Sequence, residues 1–175
     1  MGKNKVLKLH ENIVPPISFY SLSTTLNNGL ELVFENFKDK KVLIVNTASN
    51  CGYTDQYSEL QELYELHKES LTILAFPSND FKKQEKANDE EIAQFCQRNF
   101  GVSFPLAKKT RVLKSPKQNK VFAWLTNKEV NGWNEQVPTW NFAKYLINEK
   151  GQLTHYFDPA VSPLSEDVVR AVENG

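Results

Sequence analysis

The sequence predicts an α/β fold in which a central mixed sheet is flanked by helices. Two apolar runs, KVLIVNTA (41–48) and LTILAFP (71–77), have the length and the Val, Ile and Leu content of buried strands. Between them, Tyr57, Leu60 and Leu63 recur at the spacing of a helix face. A helix that connects two buried strands crosses the sheet between them, so the two strands are expected to lie parallel.

Capping residues mark the ends of the first two predicted helices. Thr54 stands where its hydroxyl can cap the start of the helix between the strands. The second helix is predicted in NDEEIAQFCQRNFG (88–101), where Asn88 caps the start and Gly101 ends the helix. The apolar face of this second helix consists of Ile92, Phe95 and Cys96.

The rest of the C-terminal half is expected to contain two further helices and a hairpin. A third helix is predicted in NKVFAWLTNKE (119–129), between two loops. The segment AKYLINEKGQLTHYFD (143–158) has two strand-like runs around a Lys-Gly turn, the pattern of an antiparallel hairpin. The closing helix is predicted in SPLSEDVVRAV (162–172), with Ser162 as its cap and Pro163 in its first position.

The N-terminal segment is expected to add strands to this core. Residues 16–37 contain two short runs around Asn28 and Gly29, which predicts a β-hairpin. The order of strand, helix, strand, helix, hairpin and helix is that of a thioredoxin-like fold with an N-terminal β-hairpin extension and an inserted third helix. No repeat, low-complexity tract or linker interrupts the pattern, so residues 1–175 are expected to form a single domain.

Composition argues against several classes of function. Lys and Arg total 21, as do Asp and Glu, so no global field draws the chain to nucleic acid. No apolar run approaches the roughly 18 residues of a membrane span, and no signal peptide is recognisable, so we expect a cytoplasmic protein without stable membrane insertion. Two cysteines are too few for a disulfide framework, and no Cys and His spacing suits zinc, so neither a metal nor a cofactor is predicted.

Cys51 lies at the joint between the first buried strand and the following helix. Unpaired backbone N–H groups and the positive end of the helix dipole both favour a thiolate at such a joint. The thiolate is the nucleophilic form of cysteine, so the position indicates a reactive thiol. The alternative is an inert small residue at the end of a strand, because free cysteines are commonly buried.

Three separated segments decide between these interpretations. NTASNCGYT (46–54), LAFPSNDFKKQE (74–85) and WNFAKYL (140–146) resemble, in order and spacing, the signature segments of the glutathione peroxidase family. The resemblance runs from about Ile17 to the closing helix and therefore covers nearly the whole chain. Three motifs in the right order are far more specific than one short motif.

The resemblance implies a catalytic tetrad. Cys51 stands at the position of the family's peroxidatic selenocysteine or cysteine, so this chain uses sulfur. Gln84, Trp140 and Asn141 match the glutamine, tryptophan and asparagine of the family site. All three side chains are neutral donors, which can hydrogen-bond a thiolate and a peroxide oxygen without forming a tight ion pair with the nucleophile. Taken singly, each has a structural alternative as a core, turn or surface residue.

The resemblance also implies a reaction cycle. The Cys51 thiolate attacks a hydroperoxide and becomes a sulfenic acid. Cys96 stands where thioredoxin-dependent, two-cysteine members carry a resolving cysteine, so a Cys51–Cys96 disulfide and its reduction by thioredoxin are expected. Because Cys96 lies on an apolar helix face, we expect the second helix to unwind locally for the bond to form. The alternative is that Cys96 is only a core thiol.

The second motif departs from the family pattern. The family usually has cysteine, glutamine, glycine, proline and glycine where this chain has Ser78, Asp80, Lys82, Lys86 and Ala87. Ser78 therefore cannot act as another resolving thiol. The missing glycines leave the conformation of the loop around Gln84 open. The carboxylate of Asp80 is expected to face solvent, since a carboxylate that points inward opposes the thiolate.

Partners are predicted from what the chain lacks. The segment 114–139 is short compared with the oligomerisation loop of tetrameric relatives, which favours a monomer whose open site admits lipid hydroperoxides as well as hydrogen peroxide. No basic cluster suited to glutathione is evident, which favours thioredoxin as the reductant. Three alternatives remain, namely a glutathione-dependent peroxidase, a peroxide sensor that passes its disulfide to a partner protein, and a binding protein without peroxidase chemistry.

Overall fold

The computed structural model describes residues 4–174, which contain seven strands and five α-helices. The strands are β1 (Val6–Lys8), β2 (Ser23–Thr25), β3 (Glu31–Val33), β4 (Lys41–Thr47), β5 (Leu71–Pro77), β6 (Lys144–Ile147) and β7 (Leu153–Phe157). The helices are α1 (Gln56–His67), α2 (Asp89–Phe100), α3 (Lys120–Leu125), α4 (Lys128–Asn131) and α5 (Glu166–Asn174). Five strands form one mixed sheet in the order β1-β7-β6-β4-β5.

The two predicted buried strands lie next to each other in this sheet. β4 and β5 pair in parallel along their whole length, with α1 as the crossover, and β4 pairs with β6 in antiparallel register on its other side. Val42 and Ile44 pack with α3, whereas Leu43 and Val45 pack with α1, α2 and α5. Both faces of β4 are therefore covered, which explains its continuous apolar sequence. The predicted α/β fold with a mixed sheet flanked by helices is confirmed.

The N-terminal segment contributes more than the predicted hairpin. β2 and β3 form that hairpin as a separate two-stranded sheet, with Gly29 at a φ of 88° in its turn. β1 was not predicted, although it extends the main sheet by pairing with β7. Its three residues, Val-Leu-Lys, are too few to show an alternating pattern. The predicted C-terminal hairpin is confirmed as β6 and β7.

Helix starts follow the predicted caps in one case and depart from them in two. The Asn88 side chain accepts the Glu91 N–H at 2.9 Å, and Gly101 ends α2 at a φ of 63°. The prediction that Thr54 caps α1 is wrong, because α1 begins at Gln56 and the Thr54 hydroxyl bonds within the preceding loop.

The last two helical regions also begin or end differently from prediction. α5 begins at Glu166 rather than at Pro163, because the Ser162 hydroxyl accepts the Leu164 N–H in a separate turn. The predicted third helix is two short helices, since the Asn127 side chain accepts the Glu129 N–H and starts α4. Within residues 4–174, no helix combines the length and apolarity needed to cross a membrane.

Candidate active site

Cys51 is held by a loop that closes on itself between β4 and α1. Its N–H donates to the Thr54 hydroxyl oxygen at 2.9 Å, and that hydroxyl donates to the Ala48 carbonyl at 3.0 Å. The Thr54 N–H in turn donates to the Cys51 carbonyl at 3.1 Å. These three bonds fix the direction of the cysteine at the carboxyl end of the central strand, the joint that the sequence predicts.

The sulfur of Cys51 is half-buried and has a backbone donor of its own. The Tyr53 N–H donates to Sγ at 3.3 Å. A hydrogen bond of this kind stabilises a thiolate more than a neutral thiol, because the acceptor carries the charge. Cys51 therefore combines access from solvent with a backbone donor at its sulfur.

The three predicted donor residues come from two loops that meet beside the cysteine. The Gln84 carbonyl accepts the N–H of Asn50 at 3.0 Å, and the Gln84 side-chain oxygen accepts the Asn141 amide at 2.9 Å. The Trp140 carbonyl accepts the Asn46 amide at 2.9 Å. Gln84 and Asn141 are thus in direct contact, and both loops are bonded to the strand or loop that carries the nucleophile.

Phe142 has a backbone conformation that is unusual for its residue type. Its φ is 70°, in the left-handed region that a bulky residue rarely adopts. The Phe142 N–H donates to the Asn46 carbonyl at 2.6 Å, and its ring packs edge-on against Tyr57 at 5.3 Å between centroids. Surrounding contacts therefore hold a strained turn directly after Trp140 and Asn141, as is common at functional sites.

Lys144 is a buried lysine beneath this turn, and the sequence alone does not single it out. Its Nζ donates to the carbonyls of Phe142 at 2.7 Å, Pro159 at 3.0 Å and Asp158 at 3.4 Å. Burial lowers the pKa of Lys144 to about 7, against the opposing effects of the Glu59 and Asp158 carboxylates. The Lys144 side chain joins the Trp140–Phe142 turn to the loop that follows β7. Its only sequence signal is a lysine within an apolar strand.

Glu85 is a second buried ionisable group that the sequence did not indicate. Its carboxylate accepts the Ser49 hydroxyl at 2.8 Å, so it links the Gln84 loop to the cysteine loop. Burial raises the pKa of Glu85, whereas the Ser49 hydrogen bonds and the charge of Lys109 lower it. The residue lies directly after Gln84, and its burial depends on how that loop folds.

Cys96 has surroundings opposite to those of Cys51. It lies on the buried face of α2, only 1% exposed, as its position with Ile92 predicts. Burial raises the pKa of the Cys96 thiol to about 11, although the neighbouring Tyr57 hydroxyl lowers it. Both cysteines are free thiols, and Cys51 packs against the apolar cluster that contains Cys96. The structure therefore shows one accessible and one protected thiol in the same part of the fold.

A shallow groove lies next to Tyr53, two residues after the cysteine. It has a volume of about 460 Å³ and is lined in part by Tyr53, Thr139, Trp140, Pro159 and Ala160. Tyr53 is the residue whose N–H binds the Cys51 sulfur. Trp140 is half-buried and stacks at a tilt against Phe81, 5.4 Å between ring centroids. Among the described residues, no group of His, Cys, Asp or Glu is arranged to hold a metal ion.

The altered second motif adopts a defined conformation despite its missing glycines. Lys82 and Lys83 have φ values of 50° and 53°, in the left-handed region. Asp80 does not simply face solvent, because its Oδ2 accepts the N–H groups of Val112 at 2.7 Å and Leu113 at 3.1 Å. These bonds pair one carboxylate oxygen with two backbone donors and tie the loop to the segment that precedes α3.

A thioredoxin-like fold with a half-buried cysteine at the end of its central strand, in a loop bonded to the loop of Gln84, is the arrangement expected of a thiol peroxidase. Comparison with known proteins agrees. The family model "Glutathione peroxidase" matches residues 19–126. The chain belongs to the glutathione peroxidase family.

Two curated relatives and one solved structure illustrate this membership. The glutathione peroxidase homolog BsaA of Halalkalibacterium halodurans is 43% identical over 149 residues, which span 85% of this chain and 94% of the relative. The glutathione peroxidase-like peroxiredoxin HYR1 of Saccharomyces cerevisiae is 40% identical over 161 residues, 89% of this chain and 98% of the relative. The crystal structure of Trgpx in apo form aligns with a TM-score of 0.66 at 29% identity, covering 89% and 95% of the two chains.

Proposed function

We propose that this peroxidase reduces hydroperoxides through Cys51, with Gln84, Trp140 and Asn141 as donors, and is reset through a Cys51–Cys96 disulfide. The observation that carries the proposal is the Tyr53 N–H bonded to the Cys51 sulfur at the edge of the Trp140 groove. The thiolate attacks the terminal oxygen of the hydroperoxide, and the O–O bond breaks. The alcohol, or water, leaves with a proton, and Cys51 becomes a sulfenic acid.

The second half of the proposed cycle uses Cys96. Its sulfur attacks the sulfenic sulfur of Cys51, an S–S bond forms, and the hydroxyl leaves as water with the proton of the Cys96 thiol. A disulfide requires α-carbons within about 7 Å, so the buried Cys96 must leave the apolar face of α2. We therefore propose that α2 opens locally after Cys51 is oxidised. Reduced thioredoxin then cleaves the disulfide by thiol–disulfide exchange.

We propose thioredoxin as the reductant because the second thiol, Cys96, is buried. A chain that forms an internal disulfide is suited to a dithiol reductant, and the relative HYR1 is described as a peroxiredoxin. Glutathione remains the competing reductant. We further propose a cytoplasmic monomer that acts as a single domain, as expected from the sequence.

Coupled turnover assays test the proposal directly. NADPH oxidation is followed with thioredoxin and its reductase or with glutathione and its reductase, using hydrogen peroxide or a lipid hydroperoxide. We expect turnover with thioredoxin, none in Cys51→Ser, and in Cys96→Ser a single oxidation event that leaves a sulfenic acid. Turnover supported only by glutathione contradicts the reductant. Unchanged turnover in Cys51→Ser contradicts the mechanism.

A further inference from the structure

The two carboxylate oxygens of Glu85 have different surroundings. Oε2 accepts the Ser49 hydroxyl at 2.8 Å, whereas Oε1 is buried and has no hydrogen-bond partner in the described part of the chain. The residue as a whole is only 1% exposed. A buried polar atom without a partner costs free energy, so its presence in a native fold calls for an explanation. The reaction cycle described above gives this carboxylate no role.

The thiol of Cys96 lies near this carboxylate and beside the Tyr57 hydroxyl. Burial raises the pKa of the thiol to about 11, the Tyr57 hydroxyl lowers it, and the charge of Glu85 raises it. Burial also raises the pKa of Tyr57 well above its ordinary value, and the Tyr57 ring packs edge-on against Phe142. Reduced Cys96 is therefore a neutral thiol beside a neutral phenol, within the electrostatic range of one carboxylate.

The carboxylate of Glu85 has two effects on such a thiol. Its negative charge opposes a thiolate, so it keeps Cys96 protonated before Cys51 is oxidised. The same group can accept a proton, and the unpaired Oε1 has free lone pairs for it. Burial raises the pKa of Glu85, which brings it closer to that of a thiol and favours proton transfer between the two.

Glu85 is bonded to residues outside α2, on the side of the cysteine loop. The Ser49 hydroxyl that binds its carboxylate lies two positions before Cys51. The Glu85 N–H donates to the side-chain oxygen of Asn79 at 3.0 Å. Neither partner belongs to α2, so both bonds can persist when α2 opens. A thiol that leaves α2 for Cys51 therefore moves toward the loop to which Glu85 is bonded.

The other charged side chains of this region lie away from the buried face of α2. That face consists of Ile92 and Cys96, and the charged residues of the helix lie outside it, namely Asp89, Glu90, Glu91 and Arg98. The neighbouring strand β5 contains no charged residue. The charge of Lys109 lowers the pKa of Glu85, and its Nζ donates to the Ala87 carbonyl at 2.6 Å. Tyr57 and Glu85 are thus the ionisable groups that act on Cys96.

Building on the proposed function, we propose that Glu85 is the base that accepts the proton of Cys96 when the Cys51–Cys96 disulfide forms. The Cys96 sulfur attacks the sulfenic sulfur of Cys51, and its proton passes to the Glu85 carboxylate. The sulfenic hydroxyl leaves as the S–S bond forms and takes up that proton as water, so Glu85 becomes a carboxylate again. Cys96 is oxidised and the sulfenic sulfur is reduced, so no further oxidant is needed.

Glu85→Gln tests this role, because it removes the charge and keeps the shape of the side chain. The amide oxygen can still accept the Ser49 hydroxyl, so the loop is expected to keep its fold. The full chain is mixed with one equivalent of hydrogen peroxide, and quenched samples are analysed by mass spectrometry for sulfenic acid and disulfide. Oxidation of Cys51 is expected to keep its rate. Disulfide formation is expected to slow about 10²-fold, the lower end of what a general base contributes.

A carboxylate that acts only through its charge predicts the opposite sign. Removal of that charge lowers the pKa of Cys96, so more thiolate is present and the disulfide forms faster. The pH profile separates the two roles further. In the parent chain the rate of disulfide formation is expected to level off once Glu85 is ionised. In Glu85→Gln it is expected to follow the thiolate fraction and to rise about tenfold per pH unit below the pKa of the thiol.

Glu90→Gln is the matched control, since it removes an exposed carboxylate from the first turn of α2 and is expected to leave both steps unchanged. Disulfide formation in Glu85→Gln that is unchanged or faster, or that keeps the pH profile of the parent chain, overturns the inference while the peroxidase proposal stands. Equal slowing of both steps means that Glu85 only supports the loop, and it overturns the inference as well. A parent chain that forms no Cys51–Cys96 disulfide overturns the resolving role and the inference together.

Discussion

The side-chain amide of Asn141 donates a hydrogen bond to the side-chain oxygen of Gln84 at 2.9 Å. The bond joins the loop after β5 to the turn before β6, on two sides of the central strand. This bond uses the side-chain oxygen of Gln84 and not its two N–H groups, which can donate to a thiolate or a peroxide oxygen. The two residues therefore position each other, and they are expected to act as one unit.

A double-mutant cycle tests this unit. Gln84→Ala and Asn141→Ala are each expected to lower the rate constant of Cys51 oxidation by hydrogen peroxide about 10²-fold, the usual loss for one donor in a transition state. The double variant is expected to lose much less than the product of the two effects, because each residue acts through the other. Rapid mixing with thiol quantification provides the rates, and Asn99→Ala on exposed α2 surface is the control. Losses that multiply fully contradict the prediction.

Thr54 is expected to matter for the cysteine loop rather than for the helix. Thr54→Val removes both the acceptor for the Cys51 N–H and the donor to Ala48, while the shape of the side chain is kept. We expect the free energy of unfolding to fall by about 1–3 kcal/mol and Cys51 alkylation to slow. Urea unfolding and iodoacetamide kinetics measure the two effects. Thr54→Ser retains the hydroxyl, so a loss as large as that of Thr54→Val in this variant argues against the loop bonds.

The pKa of Cys96 predicts how stability changes in alkali. Its ordinary value of 9.0 is raised to about 11 in the folded chain. Between these values the unfolded chain has released the proton that the folded chain keeps, so stability falls as pH rises. The contribution is about 2–3 kcal/mol across this window. Urea unfolding at pH 8 and pH 11 is expected to show a smaller decrease in Cys96→Ala than in the parent chain. An equal decrease means that this thiol is not protected.

Lys144 predicts an effect of opposite sign. Its pKa is lowered from 10.5 to about 7, so between these values the unfolded chain holds a proton that the folded chain has released. Stability linked to Lys144 therefore rises with pH through this window, by about 4 kcal/mol between pH 7 and pH 10. Lys144→Met is expected to remove this rise, as seen in the difference between the two unfolding free energies. Lys68→Met serves as the exposed control, and a difference independent of pH contradicts the assignment.

Lys144→Met also tests the turn that it supports. The variant leaves the carbonyls of Phe142, Pro159 and Asp158 without their shared donor. We expect the 5-fluorotryptophan resonance of Trp140 to shift and the resonances of Trp124 and Trp133 to remain in place. Peroxide reduction is expected to slow about tenfold or more, since small misplacements of donors are costly. An unmoved Trp140 resonance argues against a positioning role.

The elements that the sequence predicts well are those whose information is local. β4, α1 and β5 follow from continuous apolar runs and a helical period, and the fold confirms them because both faces of β4 are covered. β1 is not predictable from local sequence, because three residues are too few to show an alternation of apolar and polar side chains. Its pairing also depends on β7, near the other end of the chain. Thr54 matches the pattern of a helix cap, but its hydroxyl instead bonds the Cys51 N–H and the Ala48 carbonyl within the preceding loop. No local sequence rule predicts these loop bonds.

Buried charge was the second kind of information that the sequence did not reveal. A lysine in KYLI is ordinarily taken to reach solvent, and the three carbonyls that bind Lys144 come from two loops brought together only by β6 and β7. Glu85 is likewise buried, and its hydrogen-bond partner Ser49 lies 36 positions earlier in the chain. Motif positions are visible in sequence, whereas the groups that support them require the tertiary structure.

The burial of Cys96 links the proposed catalytic cycle to the stability of the fold. A thiol that is 1% exposed has to leave the core each time a disulfide forms, so part of α2 gives up its packing and regains it after reduction. Substitutions that strengthen α2 should therefore raise the melting temperature and slow the resolving step, while warming should accelerate that step steeply. Too rigid a helix would leave Cys51 longer as a sulfenic acid and favour its irreversible oxidation. Marginal stability of one helix thus becomes a condition for lasting activity.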